Sequence, residues 1–157
     1  VVKRRLGNLE QQLLAYAQLR KVGELRTGDL TRPLGGAWTP DEALALNTLM
    51  ADRGGRYQIC GPNAFNRYGF SDQIPNPVYA YNNRLSGERT IGAISLTLIK
   101  VADARLGDTE ESTTRDGLIV AYSSRVRTLV DAVYDWARFG SLPRGYSWII
   151  RELEERR

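Results

Sequence analysis

Asp131 and Asp135 stand four residues apart, so on a helix both carboxylates leave one face. Paired carboxylates can hold a divalent cation or divide acid and base roles. Here each has an arginine within helical reach, Arg127 for Asp131 and Arg138 for Asp135, so structural ion pairing is the expected use. Cys60 is the single cysteine, and the sequence contains no histidine. A thiol nucleophile normally needs an imidazole to take its proton, so Cys60 is not expected to react. A lone cysteine also forms no internal disulfide and no cysteine cluster for zinc. Gly140-Ser141 is not followed by the Asp-x-Asp with which a nucleotidyltransferase holds Mg²⁺. Lys100 follows Leu98 and Ile99, so the acid that a restriction-type nuclease places two residues before its lysine is missing. There is no Gly-rich phosphate loop either. The expectation is a chain that is not an enzyme, with no catalytic residue, no metal and no cofactor.

What remains is binding chemistry. Arg56 to Phe70, followed by Pro77 to Arg84, gathers arginines, tyrosines and asparagines around a strand, a turn and a short helix, then a second aromatic strand. Such residues suit a surface that meets a macromolecule. They equally suit a half-buried sheet with capped turns, because strands select Tyr and Phe.

Three of these segments, in order, carry a resemblance. Cys60-Gly-Pro-Asn-Ala-Phe-Asn-Arg-Tyr-Gly69, Tyr79-Ala-Tyr-Asn-Asn-Arg-Leu-Ser-Gly87 and Ser123-Ser-Arg-Val-Arg-Thr-Leu-Val-Asp131 look like the AbiEi family. These are antitoxins and transcriptional regulators of abortive-infection, type IV toxin–antitoxin systems. The likeness covers most of 37–157. It implies an N-terminal winged-helix DNA-binding domain, a C-terminal antitoxin domain and a nucleotidyltransferase-like toxin as partner. The missing Asp-x-Asp fits the antitoxin and not the toxin.

Charge is segregated along the chain. Residues 1–35 hold seven cations (Lys3, Arg4, Arg5, Arg20, Lys21, Arg26, Arg32) against three acids, Glu10, Glu24 and Asp29, a net of +4. Residues 36–157 hold fifteen of each sign, so the excess of the whole chain lies in its first fifth. Clustered positive charge is the electrostatic footprint of nucleic-acid binding, and those seven cations are the DNA-binding candidates. A solvated basic terminus would look the same. Arg67, Tyr79, Tyr81, Asn83 and Arg84 are the candidates for contact with a protein partner. An oligomer on operator DNA is left open. The absence of a long apolar run and of a signal-peptide pattern points to the cytoplasm and away from a membrane.

The elements that must position these residues read as α+β: a small N-terminal helical segment, a partial winged helix-turn-helix, over 1–35, then a mixed α/β domain over 37–157. Asn8 to Gln11 makes a capping box, and Leu6, Leu9, Leu13, Tyr16 and Ala17 recur at helical spacing, giving a helix from about 9 to 20. Val22 to Thr31 begins a second helix, but Arg32-Pro-Leu-Gly-Gly36 interrupts it. No recognition helix or β-wing follows. Residues missing between Thr31 and Gly36 would account for this, as would a protein without the wing; the abrupt join favours missing residues.

Thr39-Pro-Asp-Glu42 starts a well-buried helix that Gly54-Gly55 ends. Strands are expected over 57–60, 78–82, 90–101 and 118–122, with a short helix over 63–68 and a mobile polar loop over 104–116. Ser124 caps a helix whose inward stripe is expected to be Val126, Leu129, Val130, Val133, Tyr134 and Ala137, with Arg127 and Asp131 paired on its other side. The last helix starts near Ser141 or Leu142, with Tyr146, Ile149, Ile150 and Leu153 inward and a solvated end from Glu154.

Overall fold

The computed structural model describes residues 42–114, 117–139 and 142–155. The N-terminal segment, its seven cations and the 31–36 join lie outside the described residues. What is described is α+β: five helices around one six-stranded mixed sheet.

Helix α1 (Glu42–Arg53) leads into β1 (Tyr57–Ile59), α2 (Gly61–Arg67) and β2 (Val78–Asn82). A hairpin of β3 (Gly87–Ile91) and β4 (Ile94–Lys100) follows, then a 3₁₀ turn at Asp103–Arg105. The chain closes with β5 (Thr109–Thr113), β6 (Ile119–Ser123), α3 (Arg125–Tyr134), α4 (Trp136–Phe139) and α5 (Leu142–Glu154). The strand order is β3-β4-β2-β1-β6-β5. The β1–β6 and β2–β4 pairs are parallel; the other three are antiparallel.

Alternation along the strands gives the sheet two different faces. Ile59, Val78, Ala80, Leu96, Leu98 and Val120 point to α1, whose Ala43, Leu44, Ala45, Leu46, Leu49 and Met50 are all buried against them. Each large side chain removed from water there contributes about 1.5–3 kcal/mol, so this layer is the main apolar core. The other face is smaller and more polar: Gln58, Cys60, Tyr81, Ile99 and Ser123 lie under α3, α4 and the 103–108 loop, with Phe139 packed on Tyr81 and Tyr79. A third cluster, Phe70, Leu129, Ala132, Trp148 and Ile149, joins α3 to α5, with Phe70 stacked on Trp148 at 4.6 Å.

Several expectations are corrected. The span 90–101 is not one strand: Gly92-Ala93 turns it, and β3 forms from Gly87 onward. The loop read over 104–116 contains β5, Thr-Glu-Glu-Ser-Thr, an edge strand whose polar outer residues hide the period of two. The largest correction concerns helix orientation. In α3 the buried residues are Thr128, Leu129, Asp131 and Ala132, while Val126, Val130, Val133 and Tyr134 are exposed. In α5 Trp148, Ile149 and Glu152 are buried, and Ile150 and Leu153 are exposed. Of the expected inward residues Leu129 and Ile149 are buried, whereas Val126, Val130, Val133, Tyr134, Ala137, Ile150 and Leu153 are exposed. The Tyr146 side chain lies outside the described residues. Both helices are thus rotated from the face that hydrophobicity alone selects.

Gly61 sits where β1 passes into α2, with φ +57°. A Cβ built there would lie 2.5 Å from Phe139 Cδ1. Gly61→Ala therefore meets both a left-handed backbone and the ring that closes the polar face. We expect a loss of about 1–3 kcal/mol in urea unfolding. A midpoint unchanged from the parent would contradict this packing.

Candidate functional site

The charged inner face of α3 is built by Ser124, whose Oγ accepts the Arg127 backbone N–H at 3.0 Å and fixes where the helix starts. Just over two turns of spacing then deliver Arg127, Asp131 and the C-cap residue Asp135 toward the sheet. Arg127 Nε donates to Asp131 Oδ1 at 2.8 Å. Its Nη2 donates to the Arg105 carbonyl at 2.8 Å and Nη1 to the Gly107 carbonyl at 3.4 Å. One guanidinium thus ties α3 to the 105–107 loop, a task for a rigid five-donor fork that an ammonium cannot copy.

Asp135 receives the Tyr81 hydroxyl and, at 3.1 Å, Arg105 Nη2; Arg138 Nε stands 4.0 Å away. Tyr81 is 0% exposed, and the guanidiniums of Arg105 and Arg127 lie 5.9 and 5.7 Å from its ring centroid. Burial, with Cys60, Asp135 and Asp131 nearby, pushes the phenol well above its ordinary value, so it stays protonated and donates.

The pKa values of Asp131 and Arg127 are both pushed up, which disfavours the charge of the acid and favours that of the base. Burial pushes the Asp131 carboxyl above the usual range, and Arg127 only partly offsets this; Oδ2 has no hydrogen-bond partner among the described residues. Burial also works against charge on Arg127, but the Asp131 hydrogen bond and charge prevail and hold the guanidinium protonated. Geometry explains the difference: Arg127 has three acceptors, and Asp131 has one donor and one orphan oxygen. The Cys60 thiol, 0% exposed, is pushed well up by burial and then by Asp131, leaving it inert as a nucleophile.

The five partner-contact candidates are not brought together. Arg67 is exposed at one end of the sheet, its guanidinium 4.2 Å from the Tyr122 ring centroid. Tyr79 is half-buried near that end, with its backbone N–H on Asn63 Oδ1 at 2.8 Å. Asn83 and Arg84 lie at the opposite end of β2. Asn83 Oδ1 accepts the Arg56 N–H at 2.9 Å, and Arg84 Nε and Nη2 donate to the Gly54 carbonyl at 3.1 and 2.9 Å, closing α1. Tyr81 is the correction: a side chain fully enclosed and engaged with Asp135 offers a partner nothing. It is a structural residue.

The site the sequence misses is outside. Val126, Val130 and Val133 stand at i, i+4 and i+7 on α3, at 50%, 56% and 45% exposure, beside exposed Tyr134 and Trp136. The neighbouring α5 adds Ile150 and Leu153 at 56% and 57%. Val126, Val130 and Val133 thus form an exposed apolar ridge along α3, and apolar surface concentrated in this way is of the kind found at interaction sites. The charged residues between the valines were the available signal, since Arg127 and Asp131 needed partners that only the sheet side provides. Elsewhere a cleft of ≈ 720 Å³ opens between α1 and β6, walled by Leu44, Met50, Leu106 and Ile119. Asn47 there already donates to the Ile119 carbonyl at 3.0 Å and accepts from Tyr57.

Fold and site together define a mixed-sheet domain with a polar clamp inside and an apolar ridge outside. No protein-family model matches the chain, and neither a curated protein nor a solved structure matches it. Among the described residues no group of three or more metal-ligating side chains converges, and no helix is long and apolar enough to cross a membrane.

Arg127→Ala should destabilise the domain by about 3–5 kcal/mol, the usual result of stranding one partner of a buried pair. Arg127→Lys should recover less than half of that, because one ammonium cannot reach Asp131 and both carbonyls. Thermal and urea melts of the two variants check this; a melt unchanged in Arg127→Ala would contradict the clamp.

Proposed function

We propose that the chain is a DNA-binding antitoxin and transcriptional repressor that counteracts a nucleotidyltransferase-like toxin. The observation that carries the proposal is charge segregation: residues 1–35 hold the entire net +4, and 36–157 are neutral. The described domain supports the same division. Arg105, Arg125, Arg127 and Arg138 each pair with an acid on α3 or α5, so these cations are neutralised within the fold. In this reading phosphate contacts come mainly from the segment with the net excess: Lys3, Arg4, Arg5, Arg20, Lys21, Arg26 and Arg32. The antitoxin half rests on the resemblance of three segments in order, 60–69, 79–87 and 123–131, to the AbiEi family. In this reading the protein acts in the cytoplasm, without cofactor or catalysis, through operator DNA and its toxin.

A second reading, a protein-interaction domain without DNA function, is favoured by the exposed ridge on α3. A gel shift with DNA from upstream of the gene separates the two. We expect binding that weakens steeply with salt, because each neutralised phosphate releases counterions. Reversing Arg20, Lys21 and Arg26 to Glu should abolish the shift while leaving the thermal melt of the α/β domain in place. Undiminished binding by the triple variant would remove the basic segment from the DNA site, and no binding by the parent at low salt would favour the second reading.

A further inference from the structure

The seam between β1 and β6 is the shortest in the sheet. The two strands share one register position, Ile59 with Tyr122, where every other neighbouring pair shares three or five. Toward the starts of both strands the ladder stops, and the gap is the cleft of ≈ 720 Å³. A side chain spans it. Asn47 Nδ2 donates to the Ile119 carbonyl at 3.0 Å, and Asn47 Oδ1 accepts the Tyr57 hydroxyl at 3.0 Å. The bond that would zip β6 to β1 is made to α1 instead, so the gap is a built feature of the fold.

The walls offer a ligand little polarity. Leu44, Met50, Leu106 and Leu118 line the cleft, and the Gln58 amide is already spent on Gly107 and Ser123. The rim differs. The Arg56 side chain lines the cleft, is 65% exposed, and its guanidinium makes no hydrogen bond to a described residue. Asp103 Oδ1 stands 3.9 Å from it and already accepts Asn83 Nδ2 at 2.6 Å. An apolar hollow of this size with one charged group at its edge is the usual form of a small-molecule site. We propose that the β1–β6 cleft binds a small apolar molecule bearing a carboxylate, its body between α1 and β6 and its carboxylate on Arg56.

Glu111 on β5 also lines the cleft and would favour a cation. Geometry decides for the anion. Arg56 leads directly into Tyr57, which packs against the α1 core, and a guanidinium takes both oxygens of a carboxylate at once. Glu111 belongs to the exposed edge strand, farther from that core. The inference stands apart from the antitoxin reading, and its test uses no DNA and no toxin.

Ligand-observed NMR titrations of the full chain with indole, indole-3-acetate and tryptamine compare one apolar body with no charge, an anion and a cation. We expect indole-3-acetate to bind about fivefold more tightly than indole, which is what one well-placed ion pair at an exposed rim supplies, and tryptamine to bind most weakly. Arg56→Gln should remove the preference for the anion and leave indole binding unchanged. Ala51→Trp, at an exposed position of α1 on the cleft wall, should abolish binding of all three and leave the thermal melt in place. No binding by the parent, equal binding of indole and indole-3-acetate, or tighter binding of tryptamine would each overturn the proposal. So would an anion preference that survives Arg56→Gln, or binding that survives Ala51→Trp.

Discussion

The hydroxyl of Tyr81 on the Asp135 carboxylate is the contact on which the polar half of this domain turns. It joins the middle of β2 to the last turn of α3 inside a layer where an unpaired carboxylate or phenol would cost a few kcal/mol. Arg105 and Arg127 flank it and bring the charge of the layer close to balance. Two acids, two arginines and a tyrosine thus replace the aliphatic packing that α1 supplies on the opposite face. The arrangement is costly to desolvate, and such networks serve best to define one geometry.

Its consequence is the ridge. A helix has one inner face. Once Arg127, Asp131 and Asp135 occupy the inner face of α3, Val126, Val130 and Val133 must turn outward. α5 follows α3 through the Leu129–Trp148–Ile149 cluster and the Arg125–Glu152 ion pair, and its own Ile150 and Leu153 are left in water. An inner polar clamp and an outer apolar surface are two results of one rotation, so the domain leaves in water apolar side chains that a different rotation would have put in its core.

Much of the α+β architecture was legible in the sequence. β2 over Val78–Asn82, the Ser124 cap, the 42–53 helix ended by Gly54 and the Arg127–Asp131 pair all follow from local rules, because their signals lie within a few residues. β3 and β5 were hidden because edge strands carry Glu, Arg and Thr on their outward positions. The orientation of α3 was hidden for another reason. A hydrophobic stripe predicts the buried face only when the opposite face has nothing to bond, and the acceptors of Arg127 and the donor of Asp135 lie 20 to 54 residues away in sequence. Of the partner-contact candidates, Tyr81 failed on burial, and the rest are spread along β2 and α2 because neighbours in sequence occupy opposite ends of a strand.

The central claim is that α3 lies with its carboxylates against β2. A double-mutant cycle in urea between Tyr81→Phe and Asp135→Asn tests it most directly, since these residues meet only in that orientation. The account predicts a coupling of about 1.5–3 kcal/mol, the range for a hydrogen bond to a charged group. Additivity within about 0.3 kcal/mol would mean that Tyr81 and Asp135 do not touch, and that the valines of α3 face the sheet after all.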